Sequence, residues 1–232
     1  MESRVTSGIS GLDDLLGGGF FRGQTYGITG GPGSGKSILS MEFLVRGAEQ
    51  GEKGLYVTSE VSPEKLVRQM PFPGLRGMVD NGDIVVFNTQ PLPGEAATES
   101  QKFDIVGLTY MVKHYVRNSG IRRVVFDSVN AFVQQHESRQ PLRRELNHLI
   151  SMLESFGCTT LLIFEEGISP DEFLDYMVDG VVELGRIETR HEVVRYVQVK
   201  KLRGTRHEMS KRAMEIQDVG IIVSHMRPML SD

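Results

Sequence analysis

Residues 30–37 read GGPGSGKS, and the spacing within this octapeptide decides the fold. Gly30 and Gly35 bracket four residues, and Lys36 and Ser37 follow directly, which satisfies G-x-x-x-x-G-K-[ST]. A loop that wraps a polyphosphate with backbone N–H donors must turn through positive φ close against the anion. Residues without a Cβ do this without strain. Gly30, Gly31, Gly33 and Gly35 supply that freedom, with Pro32 and Ser34 between them. Lys36 would bring a compact charge to the β and γ phosphates and Ser37 a hydroxyl to Mg²⁺, while Ile38 lies in the helix whose N-terminal dipole faces the anion. The expected ligand of residues 30–38 is therefore a nucleoside triphosphate with its metal.

The flanks agree. QTYGIT (24–29) can form a strand into the loop, and SILSMEFLVRGAE (37–49) carries Ile38, Met41, Leu44 and Val45 at helical spacing. Further apolar runs, Leu55–Thr58, Ile84–Phe87, Val124–Phe126 and Thr160–Phe164, read as buried strands. Between them, 141–156 sets Leu142, Leu146, Leu149, Ile150 and Leu153 on one helical face. Strands alternating with helices predict an α/β fold, a mostly parallel sheet with helices on both faces. From about residue 181 the texture changes to successive strand-like runs, VVEL, VVRYVQVK, RAMEI and GIIVS, which predict antiparallel strands near the C-terminus, with QDVG (217–220) as a hairpin turn. The stretch 89–100 (TQPLPGEAATES) reads as a mobile loop.

Composition narrows the class. A chain of 232 residues suits one large domain, 1–232, and no run approaches the ~18 apolar residues of a membrane span. MESRVTSG lacks the plan of a signal peptide, so the cytoplasm is the expected location. Cys158 is the only cysteine, which excludes an internal disulfide and suits a small core residue. A net charge of −4 gives no global attraction to nucleic acid or membrane.

Hydrolysis needs a metal anchor, a polarised water and charge for the transferring group. IRRVVFDS (121–128) is an apolar strand that delivers Asp127 at its C-terminal end, either as a Mg²⁺-organising carboxylate or as a cap on the next helix. Glu60 ends GLYVTSE and would lie beside the γ phosphate to orient water, unless it is a solvated residue at a helix start. Glu165 and Glu166 follow the strand TTLLIF and are expected to serve the loop. Between Arg186 and Arg212 nine Lys or Arg face three Glu, a segregated charge in an acidic chain. Within it Lys201 and Arg203, at i and i+2, would share one side of an extended strand and clamp a phosphate, in trans if they reach a neighbouring subunit. Only Tyr196 interrupts the run, whereas single-strand nucleic-acid binders supply several stacking aromatics.

In this order the motifs resemble the RecA-like ATPases, and more narrowly the KaiC-like group. TSGISGLDDLLGGGFFRGQ is similar to that group's lead into the phosphate loop, GGPGSGKS to its Walker A, RRVVFDSV to its Walker B, and LRRELNHLISMLESFGCTTLLIFEE to the helix and strand that follow. VTSEVSPEKL resembles the segment with two consecutive catalytic glutamates. The first matches Glu60, and Val61 stands at the second. KKLRGTRHEM resembles the segment whose lysine and arginine reach the γ phosphate of the adjacent subunit, positions held here by Lys201 and Arg203. The resemblance implies a RecA-type P-loop core, ATP with Mg²⁺, and a homo-oligomeric ring, commonly a hexamer. It does not imply a clock, since clock members join two such domains. Their second domain phosphorylates itself on a Ser/Thr pair, and the matching stretch here, DEFLDYMVDGVVEL, has neither.

Three functional classes follow: a slow ATPase, a nucleotide-gated scaffold suggested by Val61, and a DNA-bound recombination accessory protein suggested by the basic run. The first is expected. A client is not legible from an ATPase core, which determines how energy is handled and not where it is delivered.

Overall fold

The computed structural model describes residues 3–89, 105–133, 139–165, 176–188 and 192–225. In chain order the elements are β1 (Arg4–Val5), α1 (Ser10–Leu15), β2 (Phe20–Phe21), β3 (Thr25–Gly30), α2 (Lys36–Glu49), β4 (Lys53–Thr58), α3 (Pro63–Gln69), α4 (Leu75–Asp80) and β5 (Ile84–Asn88). They continue with α5 (Ile105–Ser119), β6 (Ile121–Asp127), α6 (Asn130–Val133), α7 (Arg139–Ser155), β7 (Thr159–Glu165), β8 (Gly180–Glu188), β9 (Val193–Leu202), β10 (Arg212–Gln217) and β11 (Gly220–Val223). Nine strands form one sheet in the order β11-β10-β9-β8-β3-β7-β6-β4-β5, while β1 and β2 pair separately. β8, β3, β7, β6, β4 and β5 run parallel, and β9, β10 and β11 are antiparallel. This is the mostly parallel sheet with late antiparallel strands that the alternation of runs predicts.

Period-2 alternation along the strands separates two cores. Tyr26, Ile28, Tyr56, Val125, Leu161 and Ile163 face α1 to α4, packing on Leu12, Leu39, Phe43, Leu66 and Leu75. Leu55, Val57, Val124, Phe126, Leu162 and Phe164 face the other way, against α5 and α7. The helical face read from 141–156, Leu142 through Leu153, is the buried face of α7. Each such side chain, fully buried, contributes about 2 kcal/mol. α5 carries Ile105, Leu108, Val112 and Val116 inward, and this helix was not singled out by pattern. Cys158 is fully buried, as a small core residue would be, and burial pushes its thiol up to about 11.

The hairpin at 217–220 pairs Gln217 with Gly220. α3 starts at Ser62, whose hydroxyl accepts from Lys65 N (3.4 Å), with Pro63 in the first helical position. Most of the stretch 89–100 lies outside the described residues. Among the described residues, no helix is long and apolar enough to cross a membrane.

One buried cation braces these layers. Arg123 on β6 is 1% exposed and donates to Glu52 (2.7 Å), to Thr6 O (3.0 Å) and to Phe43 O (2.8 Å), with its guanidinium over the Phe43 ring. Glu52 also accepts from Arg22 (2.6 Å). Gly47 makes room in α2, because a Cβ there would come 2.4 Å from Arg123 Cδ. Replacing Arg123 with Met keeps the stem but removes its bonds to Glu52, Thr6 O and Phe43 O, so chemical denaturation should show a loss of about 3 kcal/mol. A loss within error would mean that the brace contributes nothing to stability.

Candidate nucleotide site

Ligands of open α/β sheets bind beyond the carboxyl ends of the strands, and this sheet gathers its polar residues there. Gly30 ends β3 in register with Glu165 at the end of β7. Asp127 ends β6 level with Thr58 of β4, two residues before Glu60. β3, β7, β6 and β4 are consecutive neighbours in the sheet, so the three carboxylates line one edge of the phosphate loop. The pocket they share, about 400 Å³, is lined by Pro32, Gly33, Gly35, Lys36, Ser37, Ile38, Glu60, Asp127, Glu165, Arg195 and Ile216.

The loop is built by close approach. Gly30 lies at φ 146°, and a Cβ there would fall 2.0 Å from Leu184 O on β8. Gly33, at φ 69°, sits under Arg186, whose guanidinium would meet a Cβ at 2.5 Å. Gly35, at φ 105°, is the N-cap of α2 with no side-chain cap, which leaves the first N–H groups of a 14-residue helix to the pocket. Lys36 is buried, and its ammonium donates to Gly30 O (2.8 Å) and Gly31 O (3.0 Å), curling the loop around the charge. Ser34 is buried with its hydroxyl unpartnered. A glycine cradle that a Cβ would fill, a buried ammonium and an orphaned hydroxyl fit a polyphosphate.

The metal side is equally specific. Tyr56 of β4 is fully buried and donates to Asp127 Oδ2. Burial first, and then the Asp127 carboxylate, hold the phenol well above its usual range, so it stays protonated. Ser128 donates to Glu60 Oε1 (3.3 Å). Partial burial raises the Glu60 carboxyl, with the charges of Asp127 and Glu165 next in size. Ser37 and Asp127 present two hard oxygens at the loop, a donor set that suits Mg²⁺.

Lys201 and Arg203 are elsewhere. Lys201 Nζ donates to Val178 O (2.7 Å), while Arg203 donates to Tyr176 O (3.3 Å) and lies 4.0 Å from Asp179. Asp179 N in turn donates to Thr25 O at the start of β3. Five residues of strand, roughly 16 Å, separate that level from Gly30. The expectation of a shared strand face needs correcting: β9 ends at Leu202, and its register slips opposite Val181/Val182. A turn, not strand alternation, brings the two cations to nearby carbonyls, those of Val178 and Tyr176.

Glu165, expected to serve a loop, lines the pocket, and Glu166 lies outside the described residues. Tyr56, Arg186 and Arg195 were not anticipated. Arg186 and Arg195 face each other across β8 and β9, where they donate to Pro32 O and to Gly33 O (3.5 Å). Their charges were visible in the basic run, but only the hairpin register takes them to the loop.

A phosphate loop leading into a helix at the carboxyl edge of a parallel sheet, with an acidic strand end beside it, defines a P-loop nucleotide-binding ATPase class. A family model, the KaiC ATPase, matches residues 5–227, and the chain belongs to that family. It is 32% identical to a UPF0273 protein of Aeropyrum pernix, covering 96% of this chain and 94% of that one. It is 29% identical to the circadian clock oscillator protein KaiC of Prochlorococcus marinus, covering 95% of this chain and 45% of the clock protein. The crystal structure of a KaiC-like protein from Pyrococcus horikoshii superposes with a TM-score of 0.84 at 32% identity, covering 97% of this chain and all of the other.

Gly30→Ala is expected to part β3 from β8, because the obstructing atom is a backbone oxygen. Affinity for a fluorescent ATP analogue should fall at least about tenfold, the equivalent of 1.4 kcal/mol. Unchanged affinity would show that the loop tolerates a Cβ there.

Proposed function

We propose that this chain is a single ATPase domain, residues 1–232, acting in the cytoplasm, which binds Mg·ATP and hydrolyses it slowly within a homo-oligomeric ring, commonly a hexamer. The observation that carries the reading is the division of the machinery. Loop, metal oxygens and carboxylates gather at the carboxyl end of the sheet, while the two remaining cations sit at the amino end of β3, out of reach of their own loop. In this reading Gly30 to Ile38 cradle the phosphates, and Lys36 holds the β and γ oxygens. Ser37 and Asp127 hold Mg²⁺, which when bound supplies charge neutralisation on the transferring group. Glu60 takes a proton from, or orients, the attacking water, and Ser128 steadies its carboxylate. Lys201 and Arg203 complete the next subunit's site, as fingers in trans.

A second reading is a nucleotide-gated scaffold with little turnover. Val61, at the position of a second glutamate, packs partly buried against the core beside α2 and offers no carboxylate. The DNA reading is less supported, because several residues of the basic run have partners within the chain. Arg186 and Arg195 go to the loop, Lys200 to Glu183, Arg212 to Glu208, and Lys211 over the Tyr196 ring. A regulatory role toward a protein client fits either leading reading.

Phosphate release with Mg²⁺ should fall by about 10²- to 10⁴-fold in Glu60→Gln, while particle mass in ATP stays that of wild type. Equal turnover in the two proteins, with intact assembly, would favour the scaffold. Mixing Lys36→Ala chains with Lys201→Ala/Arg203→Ala chains, each inactive alone, should restore turnover, because some mixed interfaces pair an intact loop with intact fingers. Failure of co-assembled rings to recover would sink the trans assignment.

A further inference from the structure

The Tyr56 hydroxyl is fully buried and donates to Asp127, one of the two proposed metal ligands, from a residue that does not line the nucleotide pocket. Its place follows from the sheet. Tyr56 lies opposite Val125 on the adjacent strand β6, and Asp127 is two residues further along β6, on the same face. α2 packs over that face with Ser37 in its first turn. A phenol standing up from β4 therefore meets Asp127 at the end of a strand, beneath the helix that carries Ser37. Val57, its neighbour, points into the opposite core.

The chemistry of this contact is directional. A phenol has one proton to donate, and Asp127 Oδ2 accepts it. One carboxylate oxygen is thus tethered from within the core, and Oδ1 is left free of that bond. Without it, the Asp127 side chain would have to be ordered by the cation itself, at the cost of its rotamer entropy. Outer partners of this kind hold metal ligands in place in many proteins, and their loss weakens metal affinity about 10- to 100-fold.

We propose that Tyr56 is a positioning residue for the Mg²⁺ site, its hydroxyl holding Asp127 so that the metal-bearing nucleotide meets a preset carboxylate. The proposal rests on the assignment of Ser37 and Asp127 to the metal. It separates two quantities that a merely structural tyrosine would move together, the affinity for nucleotide alone and the gain in affinity that the metal brings.

The test uses the full chain and Tyr56→Phe, which keeps the ring in the core. Mn²⁺ binding in the presence of a non-hydrolysable ATP analogue is followed by electron paramagnetic resonance, and binding of the same analogue in EDTA by calorimetry. Mn²⁺ affinity should fall roughly tenfold or more in the variant, with affinity in EDTA within a factor of two of wild type. Equal Mn²⁺ affinity in the two proteins overturns the proposal, as does an equal loss with and without metal. Wild type that shows no saturable Mn²⁺ site overturns the metal assignment, and the proposal with it. Should Tyr56→Phe not fold, wild type labelled with fluorotyrosine decides by ¹⁹F resonance. A buried tyrosine signal must shift when Mg²⁺ is added to the analogue-bound protein and not when analogue is added alone, and the absence of a metal-specific shift overturns the proposal.

Discussion

The parallel seating of β3 between β7 and β8 is the constraint on which the site depends. β3 delivers the chain into the phosphate loop, and Gly30 passes so near Leu184 O that no side chain fits between. That contact fixes where the loop leaves the sheet, and therefore where α2 begins. α2 then covers β4 and β6 and carries Ser37 over Tyr56 and Asp127. A shift of one residue in the β3–β7 register would turn every β3 side chain to the other face and separate Gly30 from Glu165.

Electrostatics at the site follow from the same packing. Helix N-terminus, Lys36 and the loop amides concentrate positive potential at one point, and the ends of β7, β6 and β4 set Glu165, Asp127 and Glu60 against it. Partial burial raises the Glu60 carboxyl, and the charges of Asp127 and Glu165 add to that rise. Fixed charge of both signs around a small volume means that little reorganisation is needed when a charged ligand arrives.

The remaining basic residues show how one segment serves two places. Arg186 and Arg195 hold the loop from β8 and β9, and β9 then carries Lys201 and Arg203 down to the opposite end of the sheet. An antiparallel excursion of ten residues is long enough to do this. One strand thereby links the local loop to the surface that a neighbouring copy would meet, which is a physical route from assembly to chemistry within the proposed ring.

Much of this was legible in the sequence because it depends on local pattern. The strand, loop and helix around GGPGSGKS, the buried face of α7, the hairpin at 217–220 and the delivery of Asp127 and Glu60 to strand ends each need only a spacing and a few residue types. Backbone stereochemistry and the 2.0 and 3.6 periods act over a handful of residues, so they survive without knowledge of partners. What only the tertiary structure decided depends on register between distant segments. Arg123, a charge within the run IRRVVFDS, is buried because Thr6, Phe43 and Glu52 converge on it from three parts of the chain. Tyr56 lies in a run that reads as a buried strand until β6 brings Asp127 to its hydroxyl. Lys201 and Arg203 read as one strand face until the slip opposite Val181/Val182 and the turn after Leu202 redirect them. A side chain's partners across a sheet are set by pairing that no local window contains, and there the sequence alone falls silent.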